Sequence, residues 1–498
     1  MVTSQLKQMV FAEGLLGRCI RATGSLAAGS FVENALRFAR NIILARIITP
    51  EAFGLMATIT AATGALEAFT EVGLRQSIIQ NKKGAEEEFL NVAWWISAFR
   101  ALALYVIAYY IAPFIATFFD KPEATQLLRI GFIVILFNGC ISPRVHVLEK
   151  HFRFKAWVIL TQGSGAVGVV LAIVAGFLLQ NVWALVLGYV SEAFLRFFFS
   201  FVICPLKPRI RFGREHAKEI LRYSRGMFGL PILMMLLSQA DVFVIGRVLS
   251  LGQLGLYTLA KSLAEMPLGV ISKVAHPVIL PAFSEMQDDK EKLKKSLVLT
   301  TGVIATFGIP LAAFLALWAG PILTVVYGPI YSKVATPFGI LSVYAILLTF
   351  SSLIMAVYLA VGSPAMQRNA ALVRTGVLLI LIYPATESLG LIGSSAAVFL
   401  AASASLAVQL FYVKRVVELS FPDYLKSLRL GVKPSLVVLV PGLFTIALAR
   451  PLGLLGLILG MISCLLAWVI GLRFIWSLRD KSGILPGVTN IAHEIKNI

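Results

Sequence analysis

Long apolar runs and short polar connections alternate along the whole chain. Nearly every run is long enough to cross a bilayer, which takes about 20 helical residues. The first two run roughly from Leu26 to Ile48 and from Phe53 to Ile79. The polar stretch QNKKGAEEE separates them from a third, Val92 to about Phe114, with Trp94 and Trp95 at one end as interface anchors. The fourth, Leu127 to Leu148, lies between the turn DKPEAT and the basic EKHFRFK. The fifth and sixth, Trp157 to Leu179 and Val182 to Val202, are joined only by Gln180 and Asn181. After a basic stretch, span 7 begins at about Gly226 and ends at Leu249, and span 8 runs from Leu254 to Pro281. Spans 9 to 12 start at Leu297, Thr336, Ala370 and Leu391, and spans 13 and 14 run Pro434 to Ala449 and Leu452 to Trp476.

Charge in the connections tests this reading. Every second connection is basic: Lys82 and Lys83; Lys150, Arg153 and Lys155; the cluster Lys207 to Arg225; Lys290 to Lys295; Arg368; Lys414, Arg415, Lys426 and Arg429; then Arg479 and Lys481. The intervening connections hold little beyond Lys121, Lys333 and Arg450. Lys and Arg gather on the cytoplasmic side. Both termini are therefore expected in the cytoplasm, which agrees with fourteen crossings.

A repeat organises the chain further. Arg46 to Leu55, RIITPEAFGL, returns as RVLSLGQLGL at Arg247 to Leu256, 201 residues on and without a gap. That period is far too long for a solenoid. Spans 1 and 7 are six crossings apart and cross in the same direction, so the halves are parallel repeats. Two such six-helix lobes usually form a transporter with its site between them. The expected layout is a lead-in over 1–25, an N-lobe over 26–206 and a basic interfacial linker over 207–225. A C-lobe with its following loop occupies 226–433, spans 13 and 14 fill 434–476, and a tail covers 477–498.

Composition narrows the class. The 498 residues are 58% hydrophobic and 14% charged, against about 25% charged in a soluble domain. Mean hydropathy is +0.86. The runs lack the alternation of a membrane β-barrel. A net charge of +19 suggests nucleic acid on a soluble protein; here cytoplasmic loops account for it, and no nucleic-acid partner is expected. Cys19, Cys140, Cys204 and Cys464 have neither metal nor disulfide spacing. The N-terminus has no cleavable signal pattern. GSGAVG at Gly163 to Gly168 fits GxGxxG but lies inside span 5 with no strand before it, so no dinucleotide site follows. No P-loop or nucleophile elbow appears, and neither a catalytic residue, a metal nor a cofactor is expected.

Ionisable groups inside spans are costly and point to a pathway or site. Glu33, Arg37 and Arg40 share one face of span 1, at i, i+4 and i+7. Glu67, Glu71 and Arg75 share a face of span 2. Span 7 carries Asp241 and Arg247, and span 8 carries Lys261, Glu265, Lys273 and His276. The first two spans of each half thus hold most of the intramembrane charge and would enclose a polar cavity with a basic bias. Bland readings stand beside this. Glu33 pairs with Arg37, Glu67 and Glu71 neutralise neighbouring arginines, and Arg46 and Arg247 snorkel or cap a turn.

ILARIITPEAFGL with EVGLRQSIIQNK resembles the N-terminal signature of bacterial polysaccharide exporters. GLYTLAKSLAEMPLGVISKVAHPVILPAFSEMQDDKEKLKK, with its core VILPAFSEMQDD, and LEKHFRFKAW carry the same likeness. The family is the polysaccharide-transporter branch of the MOP superfamily, and the likeness is to colanic-acid and O-antigen type flippases. It covers roughly Leu26 to Lys433. The resemblance implies an all-α polytopic fold of two six-helix lobes in a V shape, like the MATE transporters, with two extra helices. It implies flipping of undecaprenyl-pyrophosphate-linked oligosaccharide across the inner membrane, by a monomer among membrane lipids, working beside a glycan polymerase and glycosyltransferases. Arg37, Arg40, Arg75, Lys261 and Lys273 are then candidates for holding phosphates, Arg being suited by its planar set of donors. Glu33, Glu67, Glu71 and Asp241 are candidates for coupling to H⁺ or Na⁺, or for permanent counter-ions. The competing expectation is a cation-coupled multidrug antiporter of the same fold. That would need an acidic cavity, which the arginines oppose.

The topology is testable directly. Arg214→Cys, in a chain stripped of its four native cysteines, should react with a membrane-impermeant thiol reagent only from the cytoplasmic face. Labelling from outside intact spheroplasts contradicts the orientation.

Overall fold

A computed structural model describes residues 15–70, 73–151, 153–209, 213, 215–220, 229–429, 432, 455, 456, 458–463 and 466. Every regular element among them is a helix. Helix α1 (Leu15–Ala45) turns at residues 46–48 into α2 (Pro50–Phe69), with Pro50 in the first turn, where its missing N–H costs nothing. The second predicted span is not one helix. It ends at Phe69, and a separate short helix α3 (Leu74–Gln80) begins after Gly73, whose φ of 58° is left-handed. The helical face expected to carry Glu67, Glu71 and Arg75 together is therefore interrupted, and Glu71 lies outside the described residues.

Helix α4 (Glu87–Phe118) is followed by a broken span of three short helices, α5 (Thr125–Gly131), α6 (Ile133–Gly139) and α7 (Arg144–Lys150). Next come α8 (Phe154–Val158), a π-type turn over Ile159–Gly163, α9 (Ser164–Leu179) and α10 (Trp183–Ile203). The second half contributes α11 (Leu230–Val248), α12 (Leu251–Glu285), α13 (Lys290–Leu317), α14 (Ala319–Val326), α15 (Ala335–Ala360) and α16 (Pro364–Val417). Among the described residues, eight helices are long and apolar enough to cross a membrane, or nine if α5–α7 counts as a bent span. Spans 13 and 14 fall almost wholly outside the described residues. The outer surfaces of the described helices fit lipid: Phe114, Leu178 and Ile380 are 74%, 78% and 73% exposed, an arrangement water would penalise.

Straight, the 54 residues of α16 would reach about 80 Å, far beyond a hydrocarbon core of about 30 Å. Gly390, at φ 60° and ψ −137°, breaks it. The arms fold back on each other: Ser405 Oγ donates to the Ala370 carbonyl at 3.0 Å, and the Thr386 and Ser394 hydroxyls meet at 2.8 Å. Spans 11 and 12 are thus a helical hairpin.

The chain forms two compact units. One comprises 22–266 and 369–405, the other 1–21, 267–368 and 406–498. In the second, α13 packs on α15 around Leu297, Ile304, Phe350, Ile354 and Val357. Asp289 caps α13 by accepting from the Lys292 N–H at 3.0 Å, and that bond holds its carboxyl below the usual range.

In the first unit the two copies of the repeat touch. A Cβ on Gly54 would overlap the Leu251 carbonyl oxygen and lie 3.0 Å from the Gly255 nitrogen. Reciprocally, a Cβ on Gly255 would overlap the Pro50 carbonyl oxygen and lie 2.9 Å from the Gly54 nitrogen. The first turns of α2 and α12 therefore cross backbone to backbone, a pseudo-symmetric contact only glycine permits. Around it, Arg247 pairs with Asp120, Lys121 pairs with Glu51 at 2.8 Å, and Phe119 stacks on Phe243. Elsewhere in the unit the basic connections gather. Arg144 pairs with Glu87 at 2.8 Å, Arg75 with Glu149 at 2.7 Å, and Asn81 donates to Glu219 at 2.9 Å. Connections expected on one side of the membrane thus meet each other.

Gly54→Ala and Gly255→Ala should each destabilise the purified protein, since overpacking typically costs about 1–3 kcal/mol. Gly64→Ala, on the same helix with nothing within 4 Å of the added carbon, should be neutral or stabilising. Equal melting temperatures for all three would remove the crossing as a constraint.

Candidate functional site

Helix α1 presents Glu33, Arg37 and Arg40 toward α10, where Glu192 completes a network. Arg37 Nε bonds Glu33 Oε1 at 3.0 Å, and Arg37 Nη2 bonds Glu192 Oε1 at 2.6 Å. Arg196 Nη2 shares that same oxygen at 2.6 Å. The side chain of Glu192 is only 11% exposed, and those of Arg37 and Arg196 about a third. The sequence reading does not single out Glu192 and Arg196, one acid and one base in an otherwise apolar span 6. Their i, i+4 spacing is the available signal.

Small residues make room for this network. Gly165 approaches Arg37 and Glu192, and a Cβ on Gly168 would come within 2.7 Å of the Glu192 Cβ. The GSGAVG run is therefore a packing surface for α10 and not a dinucleotide loop. Arg40 is different from Arg37. Its guanidinium donates only to Asn41 Oδ1, at 3.0 and 3.3 Å, among the described residues. Three guanidiniums thus stand near two carboxylates, an excess of one positive charge between α1 and α10.

A second network lies on α11 and α12. Asp241, 2% exposed, accepts from Lys261 Nζ at 2.5 Å and from the Tyr257 hydroxyl at 2.9 Å. Tyr257 and Lys261 are one turn apart, so one face of α12 clamps the carboxylate. The repeat offset that aligns Arg46 with Arg247 also aligns Arg40 with Asp241. One half offers a cation where the other buries an anion.

The remaining expected residues scatter. Glu67 accepts from Asn138 Nδ2 at 3.3 Å. Arg75 sits on α3, 58% exposed and paired with Glu149, so it belongs to the connections and not to the α1 face. The break at Gly73 is the reason. The Lys273 side chain lies outside the described residues. Arg247 pairs with Asp120 and stands 5.8 Å over the Phe118 ring, in keeping with its reading as a residue at the helix end. Among the described residues no cluster of His, Cys, Asp and Glu could hold a metal ion.

The sequence profile of the polysaccharide biosynthesis proteins matches residues 43–336, more than half of the chain. The chain belongs to the polysaccharide biosynthesis protein family. This family member is 28% identical over 342 residues to the succinoglycan biosynthesis transport protein ExoT of Rhizobium meliloti strain 1021, covering 68% of each chain. Among solved structures, the lipid II flippase MurJ in an inward closed conformation aligns with a TM-score of 0.74 at 17% identity, over 90% of this chain and 98% of MurJ. An inward-facing multidrug resistance MATE transporter of the MOP superfamily aligns at 0.58 and 18% identity, over 78% and 94%. These likenesses establish the MOP-type fold and bear out the resemblance read from the signature stretches. The polysaccharide biosynthesis protein is therefore a multi-pass membrane protein.

The buried pair on α11 and α12 makes a stability test. Lys261→Met should cost about 3–5 kcal/mol, the usual result of stranding one partner of a buried pair. Adding Asp241→Asn should recover most of that loss, and a double-mutant cycle on thermal unfolding reads the coupling. Additive losses would mean that the two side chains do not act as a pair.

Proposed function

We propose that this protein flips an undecaprenyl-pyrophosphate-linked oligosaccharide across the bacterial inner membrane by alternating access of two lobes, 26–206 and 226–433. It is a membrane transport protein and not an enzyme. The observation that carries the reading is Arg40, a guanidinium on α1 that donates to Asn41 without a carboxylate partner among the described residues, beside a network already neutralised by Glu33 and Glu192. A cation without a counter-ion inside a bilayer is costly, and an anionic headgroup would offset that cost if α1 spans as expected. A succinoglycan biosynthesis transport protein among the relatives and a lipid II flippase among the structural neighbours support the same class of cargo. The multidrug-antiporter reading draws on the MATE fold, but an organic cation would meet the Arg40 charge.

In this reading both termini are cytoplasmic, the protein works as a monomer, and polymerase and glycosyltransferases act before and after it. The membrane potential favours outward movement of the phosphates, by about 2.3 kcal/mol per charge per 100 mV. Return of the empty cationic cavity is then the step that needs help. Glu33, Glu67 and Asp241, with Glu71, are the carboxylates for binding H⁺ or Na⁺ at that step. Arg37, Lys261 and Lys273 contribute to the cationic surroundings; Arg75 does so only from the connection it occupies.

The test is flipping of lipid-linked oligosaccharide by the purified protein in liposomes. Arg40→Ala should abolish it at normal protein levels, and Arg40→Lys should restore it only in part, because an ammonium lacks the planar fork. Wild-type flipping by Arg40→Ala removes the phosphate role. Efflux of organic cations without oligosaccharide flipping would favour the antiporter.

A further inference from the structure

Two causes of helix bending coincide at one place in α1, and a third faces them from the neighbouring helix. Sharp kinks occur at Gly/Ser pairs, at π-bulges and where a side chain inserts into the backbone ladder. Gly29 and Ser30 form a Gly-Ser pair in mid-helix, one turn before Glu33. Facing them is the π-type turn Ile159–Gly163 between α8 and α9, a feature that is rare and often marks function. From that turn Gln162, buried to 9% exposure, reaches the α1 backbone. With the carboxamide assigned the orientation that satisfies both of its ends, its nitrogen donates to the Gly29 carbonyl at 3.0 Å, and its oxygen accepts from the Ser30 N–H at 3.1 Å. Asn34 adds a further donor, to the Ser30 carbonyl at 2.6 Å. Backbone groups in mid-helix normally serve the helix alone. Here side chains share three of them. A Cβ on Gly29 would overlap the Gln162 side chain and lie 2.7 Å from Val158, so the latch also needs glycine at 29.

We propose that Gln162 is a positioning residue: it latches a hinge in α1 at Gly29–Ser30 and so sets the angle at which Glu33, Arg37 and Arg40 are presented. The latch touches none of these charges. It acts through the helix that carries them. Its two hydrogen bonds are directional and reversible, so α1 has a held state and a released state. The tie to transport rests on the flippase reading; the hinge itself does not.

The experiment compares wild type with Gln162→Met, which keeps volume but can neither donate nor accept these bonds, and with Gly29→Ala, which displaces the carboxamide. Amide hydrogen exchange is followed in the intact protein in lipid nanodiscs, together with flipping rate and binding of an isoprenyl pyrophosphate. In both variants, exchange over residues 30–37 should rise on the order of tenfold, the effect of losing about one hydrogen bond, with helix α4 unchanged. Flipping should slow while binding of the pyrophosphate probe holds. Unchanged exchange at 30–37 overturns the hinge. Faster exchange with wild-type flipping overturns the positioning role and leaves the hinge as packing. If Arg40→Ala also flips normally, the flippase reading fails by itself, whatever α1 exchange shows. If Gln162→Met does not fold, Gly29→Ala carries the same outcomes.

Discussion

Two helix backbones in contact at Gly54 and Gly255 constrain everything near them. At that distance neither position accepts a methyl group, and the contact is reciprocal because the two segments are copies of one motif. Helix α1 ends just before α2, and α11 just before α12. The crossing therefore fixes one end of four helices at once. Those four carry Glu33, Arg37, Arg40, Asp241 and Lys261. The Arg247–Asp120 and Lys121–Glu51 pairs surround the crossing with partly exposed ions. Each such pair contributes little, so the close apolar packing of the glycines does most of the holding.

Charge inside the helix bundle follows a second rule, that each buried ion needs a partner. Asp241 satisfies it fully, through Lys261 and Tyr257. Glu192 satisfies it twice, serving Arg37 and Arg196 with one oxygen. Arg40 satisfies it only with the neutral carboxamide of Asn41. The repeat that aligns Arg40 with Asp241 thus keeps the geometry of the two halves and reverses their electrostatics.

Much of this architecture is legible in the order of the amino acids. Apolar runs of bilayer length locate the eight or nine helices able to cross a membrane among the described residues, because lipid demands continuous apolar helix. Alternating basic connections group the loops that do meet, as Arg144–Glu87 and Asn81–Glu219 show. The break after Phe69 is not legible. Hydropathy runs on across it, while Gly73 takes a left-handed turn that glycine merely permits. Gly390 bends α16 in the same manner, though there the length of the apolar run already requires a turn. Glu192 stays hidden because one acid and one base do little to the average of an apolar window.

Membrane class, span order, the parallel repeat and the family all follow from amino-acid order alone, since each depends on periodicity, composition or local motif. Which charges meet is settled by packing in three dimensions. Glu192 reaches Arg37 from 155 residues away, and Gln162 meets Ser30 from 132 residues away. Such pairings depend on how helices pack and rotate against one another. Hydrophobic periodicity leaves that rotation open in a lipid-facing helix, where nearly every face is apolar, and close packing at glycines such as Gly54, Gly168 and Gly255 sets it.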